Sequence, residues 1–248
     1  KAYLRMGIAY FNLNNNEEAL KQYAFLLQQF PNSPEAEEAL DNAKLIYVEE
    51  GRSAAYVDFA RGMGKEITVT QEEQLAYQEA EFQFNNGNFI NAARKFEEYL
   101  DRFPEGKHSL DALYYKSEIY FNQKEFTKAA IGYEILSNRV PNKFGEKALL
   151  QAARIHFFEL KDYEKAEAFF VKLKSYATIQ ENRLEAMRGL LRSQFQLKHW
   201  SDATQNAQEL LNEKSIGADD RILANLALAR SSQLNGSCPE AITYYRNV

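Results

Sequence analysis

The sequence predicts an all-α solenoid of about seven antiparallel helix pairs, and three ladders of residues predict it. A small side chain recurs at Ala19, Ala55, Ala92, Ala129, Ala166, Ala203 and Ala241, at intervals of 36, 37, 37, 37, 37 and 38 residues. Four residues after each stands Tyr23, Phe59, Phe96, Tyr133, Phe170, Ala207 or Tyr245, aromatic in six of seven copies. Twelve residues before each stands Gly7, Ala43, Ala80, Ser117, Arg154, Leu191 or Ala229, small in five of seven. Residues three to four apart share one face of a helix. The alanine lets the second helix of a pair lie close against the first, where a leucine would hold it away. A two-helix unit cannot bury its own apolar face, so copies at a fixed period stack.

Taken in order, Ala2–Leu13 is a helix with Tyr3, Met6, Gly7 and Tyr10 on one face, and Asn14–Asn16 is its turn. Glu17–Phe30 follows and stops before Pro31, since proline disfavours helix in the residue ahead of it. Ser33 and Pro34 restart the chain as an N-cap and a first-turn proline. The next pair, Glu35–Glu50 and Arg52–Arg61, turns at Gly51. Arg61–Thr70 interrupts the pattern with Gly62, Gly64 and the β-branched run Ile67–Thr70, and reads as an extended crossing between units. From Glu72 the helical period resumes. The clearest copy is Leu113–Asn122, a turn at Gln123–Glu125, then Phe126–Arg139 closed by Pro141. Ile216–Ala218 is a weaker break, and Asn235-Gly236 is the last turn within a pair.

The expected organisation is one array over residues 1–248, truncated at both ends. The 61–71 segment is its candidate hinge, separating 1–60 (two repeats) from 72–248 (about five). The chain is 45% hydrophobic with five Pro and eleven Gly, a composition that suits long helices. Its net charge of −5 argues against a general affinity for nucleic acid. The balance is uneven: residues 1–124 hold 13 Lys/Arg and 20 Asp/Glu, residues 125–248 hold 17 and 15. Cys238 is the single cysteine, so neither an internal disulfide nor a thiolate zinc cluster is available. No apolar run approaches the length that spans a membrane.

Tyr3, Met6, Gly7, Tyr10, Ala19, Tyr23 and Pro31 together resemble the tetratricopeptide repeat (TPR) pattern, and the match runs through essentially the whole chain. The usual period is 34. A period near 37, with the junction Tyr99–Pro104 followed by Ala112–Tyr115, resembles the longer repeats of bacterial cell-envelope TPR proteins. The resemblance implies a right-handed TPR superhelix and a bacterial cell-envelope or periplasmic setting ahead of the cytoplasm. Arg154 and Leu191 depart from the pattern where a small residue belongs.

No catalytic, metal or cofactor site emerges. His108, His156 and His199 lie at different phases of the repeat with no carboxylate partner at metal spacing in sequence, and a surface position or interhelix packing is the expected role of each. Cys238 falls where other copies have Phe126, Tyr163 and Trp200, and reads as a buried structural thiol. There is no phosphate-binding glycine loop and no nucleophile elbow.

The resemblance implies that the first helix of each pair lines a concave groove. A ladder of rings at Phe11, Tyr47, Phe84, Phe121, Phe158 and Phe195 then lies at that face or packs between helices, and core packing is preferred for most. One turn earlier the positions vary. Tyr77 with Glu81 and Tyr114 with Glu118 form an acidic-aromatic surface, whereas Arg188, Arg192 and Arg230 form a basic one suited to a carboxylate. The expected groove is therefore Tyr77, Glu81, Phe84, Tyr114, Glu118, Phe121, Phe158, Arg188, Arg192, Phe195 and Arg230. The expected function is a non-catalytic protein–protein interaction scaffold that holds an extended peptide or a partner helix. The alternatives are a structural spacer or self-association module of an envelope protein, or the accessory arm of an enzyme.

Overall fold

The computed structural model describes residues 1–214 and 216–248, which form fourteen helices and, among the described residues, no strand. The helices pair in chain order. They are α1 (Ala2–Asn12) with α2 (Asn16–Gln29), α3 (Pro34–Glu49) with α4 (Ser53–Gly62), and α5 (Val69–Asn85) with α6 (Phe89–Arg102). Next come α7 (Ser109–Asn122) with α8 (Phe126–Asn138), and α9 (Gly145–Arg154) with α10 (Tyr163–Tyr176). The last pairs are α11 (Gln180–Leu197) with α12 (Trp200–Asn212) and α13 (Ala218–Leu234) with α14 (Cys238–Arg246). This is the predicted solenoid of seven pairs. It falls into two compact units, Lys1–Lys116 and Ser117–Val248, divided within α7.

Local chemistry accounts for the boundaries. Ser33 accepts the Ala36 N–H at 3.2 Å ahead of Pro34, which opens α3. The 61–71 segment lies inside the first unit and is shorter than expected, because Val69 and Thr70 are already helical. The reason is a capping box: Thr68 Oγ1 accepts from the Gln71 N–H, and Gln71 Oε1 accepts from the Thr68 N–H. Six of the seven ladder alanines are buried, Ala55 being only partly so, and the rings of Tyr23, Phe96, Tyr133 and Phe170 are sealed behind them. Gly7 shows why the position twelve residues earlier is small. A Cβ there would stand 2.2 Å from the Tyr23 ring.

A fourth ladder appears only in the structure. A residue one or two positions after each first helix is left-handed: Asn14, Gly51, Gly87, Lys124, Lys161, Lys198 and Gly236. The next N–H closes a Schellman-type bond to the carbonyl five residues back in six copies, for example Glu125 to Tyr120 at 2.8 Å. Glycine meets this backbone without steric cost, but three lysines also adopt it, so stacking as well as local preference shapes the turn.

The two departures in the sequence pattern both have structural explanations. In the fifth pair the last turn of the first helix is π-helical, Ile155–Leu160, and its closing bond runs six residues back, from the Asp162 N–H to the His156 carbonyl. One extra residue is thus absorbed there. Upstream of it the register shifts by one, so the small buried residue is Ala153 while Arg154 faces solvent. In the sixth pair Leu191 and Ala207 are both fully buried in one cluster with Met187, Ala203 and Leu210. The small and large members have exchanged helices. The first helix carries the bulk that Tyr23 or Phe96 carries elsewhere.

Candidate functional site

An open cleft runs between α3 and α5, both first helices of their pairs. It has a volume of about 430 Å³ and is lined by Asp41, Lys44, Leu45, Val48, Gln78, Glu81, Phe82 and Asn85. The lining positions on each helix lie three, four and seven residues after the first, so each helix gives one face. A second cleft of about 340 Å³ shares Asp41 and Lys44 and continues the groove past Tyr56, Ile67, Gln71, Gln74 and Leu75. Leu45, Val48 and Phe82 make its apolar centre, and Leu45 remains 43% exposed. Burial, reinforced by the nearby Asp41 charge, pushes the Tyr56 hydroxyl up to about 12, so Tyr56 presents a neutral donor at neutral pH.

A buried polar cluster behind the groove holds its walls. The Glu79 carboxylate accepts the Ser53 N–H at 3.2 Å and the Ser53 hydroxyl, and pairs with Lys95 at 2.5 Å. A carboxylate at the start of α4 also meets the positive end of that helix. Gln83 donates to the Glu49 carbonyl at 3.3 Å and accepts from Asn88 at 3.2 Å. These bonds tie the α3–α4 turn to α5, so the facing helices are positioned before any partner arrives.

Family models of the tetratricopeptide repeat match residues 1–33 and 77–136. Over these stretches the chain is similar to the TPR family. Among solved structures, the C-terminal part of a TPR repeat-containing protein from Cytophaga hutchinsonii aligns over 98% of this chain and 93% of its own, at 18% identity and a TM-score of 0.49. A tetratricopeptide repeat protein from Parabacteroides merdae aligns over 99% and 90%, at 14% identity and a TM-score of 0.37. The pilF protein of Pseudomonas aeruginosa aligns over 100% and 96%, at 12% identity and a TM-score of 0.41. No curated protein matches the chain.

The helical array places the expected contact residues unequally. Glu81 is partly exposed and lines the α3–α5 groove. Tyr77 is not available: it is buried, stacked on His108 with ring centres 4.2 Å apart. Burial, with the Glu81 charge adding to it, raises the Tyr77 pKa. Phe84 packs on Phe89 and Tyr115, at 5.7 and 5.0 Å. Tyr114 is likewise buried. Glu118 accepts from the Tyr133 hydroxyl and from Lys147 at 3.3 Å. Phe121 lies edge-on to Phe126 and Phe195 edge-on to Trp200, at 5.8 and 5.2 Å. The ring ladder is therefore mainly interhelical packing, as preferred.

Phe158 is the exception, 44% exposed, because the π-turn gives its packing role to Phe157, whose ring lies 5.3 Å from Tyr163. The basic surface also needs correcting. Arg188 already holds a carboxylate: its guanidinium grips Asp220 through two bonds of 2.6 and 2.9 Å and reaches Glu181 at 2.8 Å. Arg192 has no ion pair among the described residues, and exposed Arg230 bonds only to the Gln233 amide, at 3.0 Å.

Other expectations shift as well. Cys238 is exposed rather than buried. His156 is buried, as expected for packing, with Nε2 at 2.7 Å from Glu134 Oε1. His199 meets Glu167 at 3.0 Å with Asp202 close by, a grouping across 32 residues that sequence spacing does not reveal. It is largely solvent-exposed. No helix among the described residues is long and apolar enough to cross a membrane.

Proposed function

We propose that this TPR array acts as a non-catalytic protein–protein interaction scaffold. In its first unit the α3–α5 groove takes an extended peptide or a partner helix. One observation carries the reading: two first helices, held from behind by the Glu79 and Gln83 bonds, leave an open apolar strip at Leu45, Val48 and Phe82 with charged and amide groups along both sides. A groove of this kind is where alternate side chains of a bound segment find pockets. Glu81 is the expected contact residue that fits it. In the second unit, Arg192, Arg230 and Phe158 are the expected contact residues with accessible chemistry for a partner. The first unit holds 12 Lys/Arg and 19 Asp/Glu, and the second 18 and 16. Partner segments attracted to the two units therefore differ in charge, and the acidic first unit disfavours nucleic acid.

The test is a random-peptide selection on the full chain, repeated with Leu45→Arg. Peptides enriched on the wild type should bind the variant at least tenfold more weakly, with helicity and melting unchanged. Equal affinity would remove the groove from the proposal.

A further inference from the structure

We infer that Glu167, His199 and Asp202 form a binding site for one divalent transition-metal ion, which clips α10 to α12. Glu167 lies on α10, His199 is the N-cap of α12, and Asp202 is in its first turn. The donors thus come from the second helices of two successive pairs. One ligand atom from each residue lies within 4.8 Å of the other two. His199 Nδ1 stands 3.0 Å from Glu167 Oε2. The backbone beneath these groups is fixed. The His199 N–H donates to the Gln194 carbonyl at 2.9 Å across left-handed Lys198, and the His199 carbonyl accepts the Ala203 N–H at 3.0 Å. Glu167 follows fully buried Ala166, and its side chain is only 17% exposed.

Comparison between copies shows that these carboxylates are not explained by packing. In the other six repeats the position of Glu167 is Leu20, Tyr56, Ala93, Ala130, Thr204 or Ile242, none of them charged. Asp202 stands where the two preceding copies have Lys128 and Lys165, and Lys165 pairs with Glu134 at 3.1 Å. The sixth copy therefore replaces a cation with an acid. Among the described residues neither Glu167 nor Asp202 meets a lysine or arginine. Two carboxylates held beside one imidazole repel each other, and a cation between them removes that cost. An imidazole nitrogen with carboxylate oxygens suits Zn2+ and neighbouring transition ions, whereas Mg2+ and Ca2+ take oxygen donors. Four-coordinate Zn2+ holds such donors at about 2.0–2.1 Å, which sets them about 3.4 Å apart. Turning the exposed His199 and Asp202 side chains closes the remaining distance. Nδ1 then coordinates with the ring proton on Nε2, and water completes the shell.

The probe is Zn2+ alone, added to the full chain after chelator treatment and followed by isothermal titration calorimetry. One ion should bind per chain. His199→Ala, Glu167→Gln and Asp202→Asn should each weaken binding at least tenfold with helicity unchanged. Cys238→Ser, which removes the one thiol, should leave it within twofold, and a hundredfold excess of Mg2+ should not displace the ion. X-ray absorption at the zinc edge reads the donors without any substitution, and should show nitrogen and oxygen but no sulfur. Wild-type affinity in His199→Ala, loss of binding in Cys238→Ser, or a sulfur donor overturns the inference. Displacement by Mg2+ or the absence of saturable binding does so too.

Discussion

The exchanged pair in the sixth repeat makes a quantitative prediction. Leu191 and Ala207 are wholly buried in one cluster, where other copies set a small residue on the first helix against a ring on the second. Leu191→Ala removes three carbons from a sealed site, about 2.4 kcal/mol of transfer free energy at roughly 0.8 per methylene. The cavity left behind brings the expected total to about 3–4 kcal/mol. Ala207→Phe alone forces a ring against Leu191 and should cost about 1–3 kcal/mol through overpacking. The double variant rebuilds the arrangement seen with Gly7 and Tyr23 and should recover at least about 2 kcal/mol of the summed losses, a coupling of the size found for touching residues. Urea denaturation of all four proteins, with amide exchange read on α11 and α12, gives the cycle. Additive losses would show that the two positions do not share one volume.

Three further outcomes follow from the geometry. Deleting Phe158 should convert the π-turn to ordinary helix and cost less than about 1 kcal/mol, whereas deleting Phe121 should unfold its pair; circular dichroism melts compare them. Asp220→Asn should destabilise the protein at neutral pH by about 1.5–3 kcal/mol. The Arg188 hydrogen bonds, opposed by burial, hold the Asp220 pKa below its ordinary value. Its contribution is therefore complete above the unfolded-state pKa, near 3.9, and disappears as pH falls through the lower folded value. The wild-type and variant melting curves should converge only in that acid range, and a gap independent of pH would exclude the ionic origin. Lys124→Gly should change stability by no more than about 1 kcal/mol in either direction, since relief of the left-handed strain offsets glycine's extra entropy in the unfolded chain. A larger loss by thermal melting would mean that the lysine side chain itself contributes.

How much was legible depended on distance along the chain. Helix faces, paired small and large residues and the caps at Ser33 and Pro34 are set within a few residues, so periodicity exposed them. The Arg154 departure reads as a substitution in sequence, yet it is a register shift, visible only once the π-turn places Ala153 against the core. Tyr77 and Tyr114 were misplaced because a helix packed on several neighbours buries a wider arc than a single apolar stripe. Ala76, Tyr77, Glu79, Ala80 and Gln83 are all covered on α5. Arg188 looked free because its partner, Asp220, lies 32 residues away.

The left-handed turns have a consequence for how such a chain tolerates change in length. Each one resets the count, so a surplus residue is settled within its own helix. The fifth pair shows the mechanism: its extra residue swells one turn, and Lys161 still stands 37 residues from both Lys124 and Lys198. A miscount in one repeat is corrected before the next begins, and the repeats beyond it inherit no rotation.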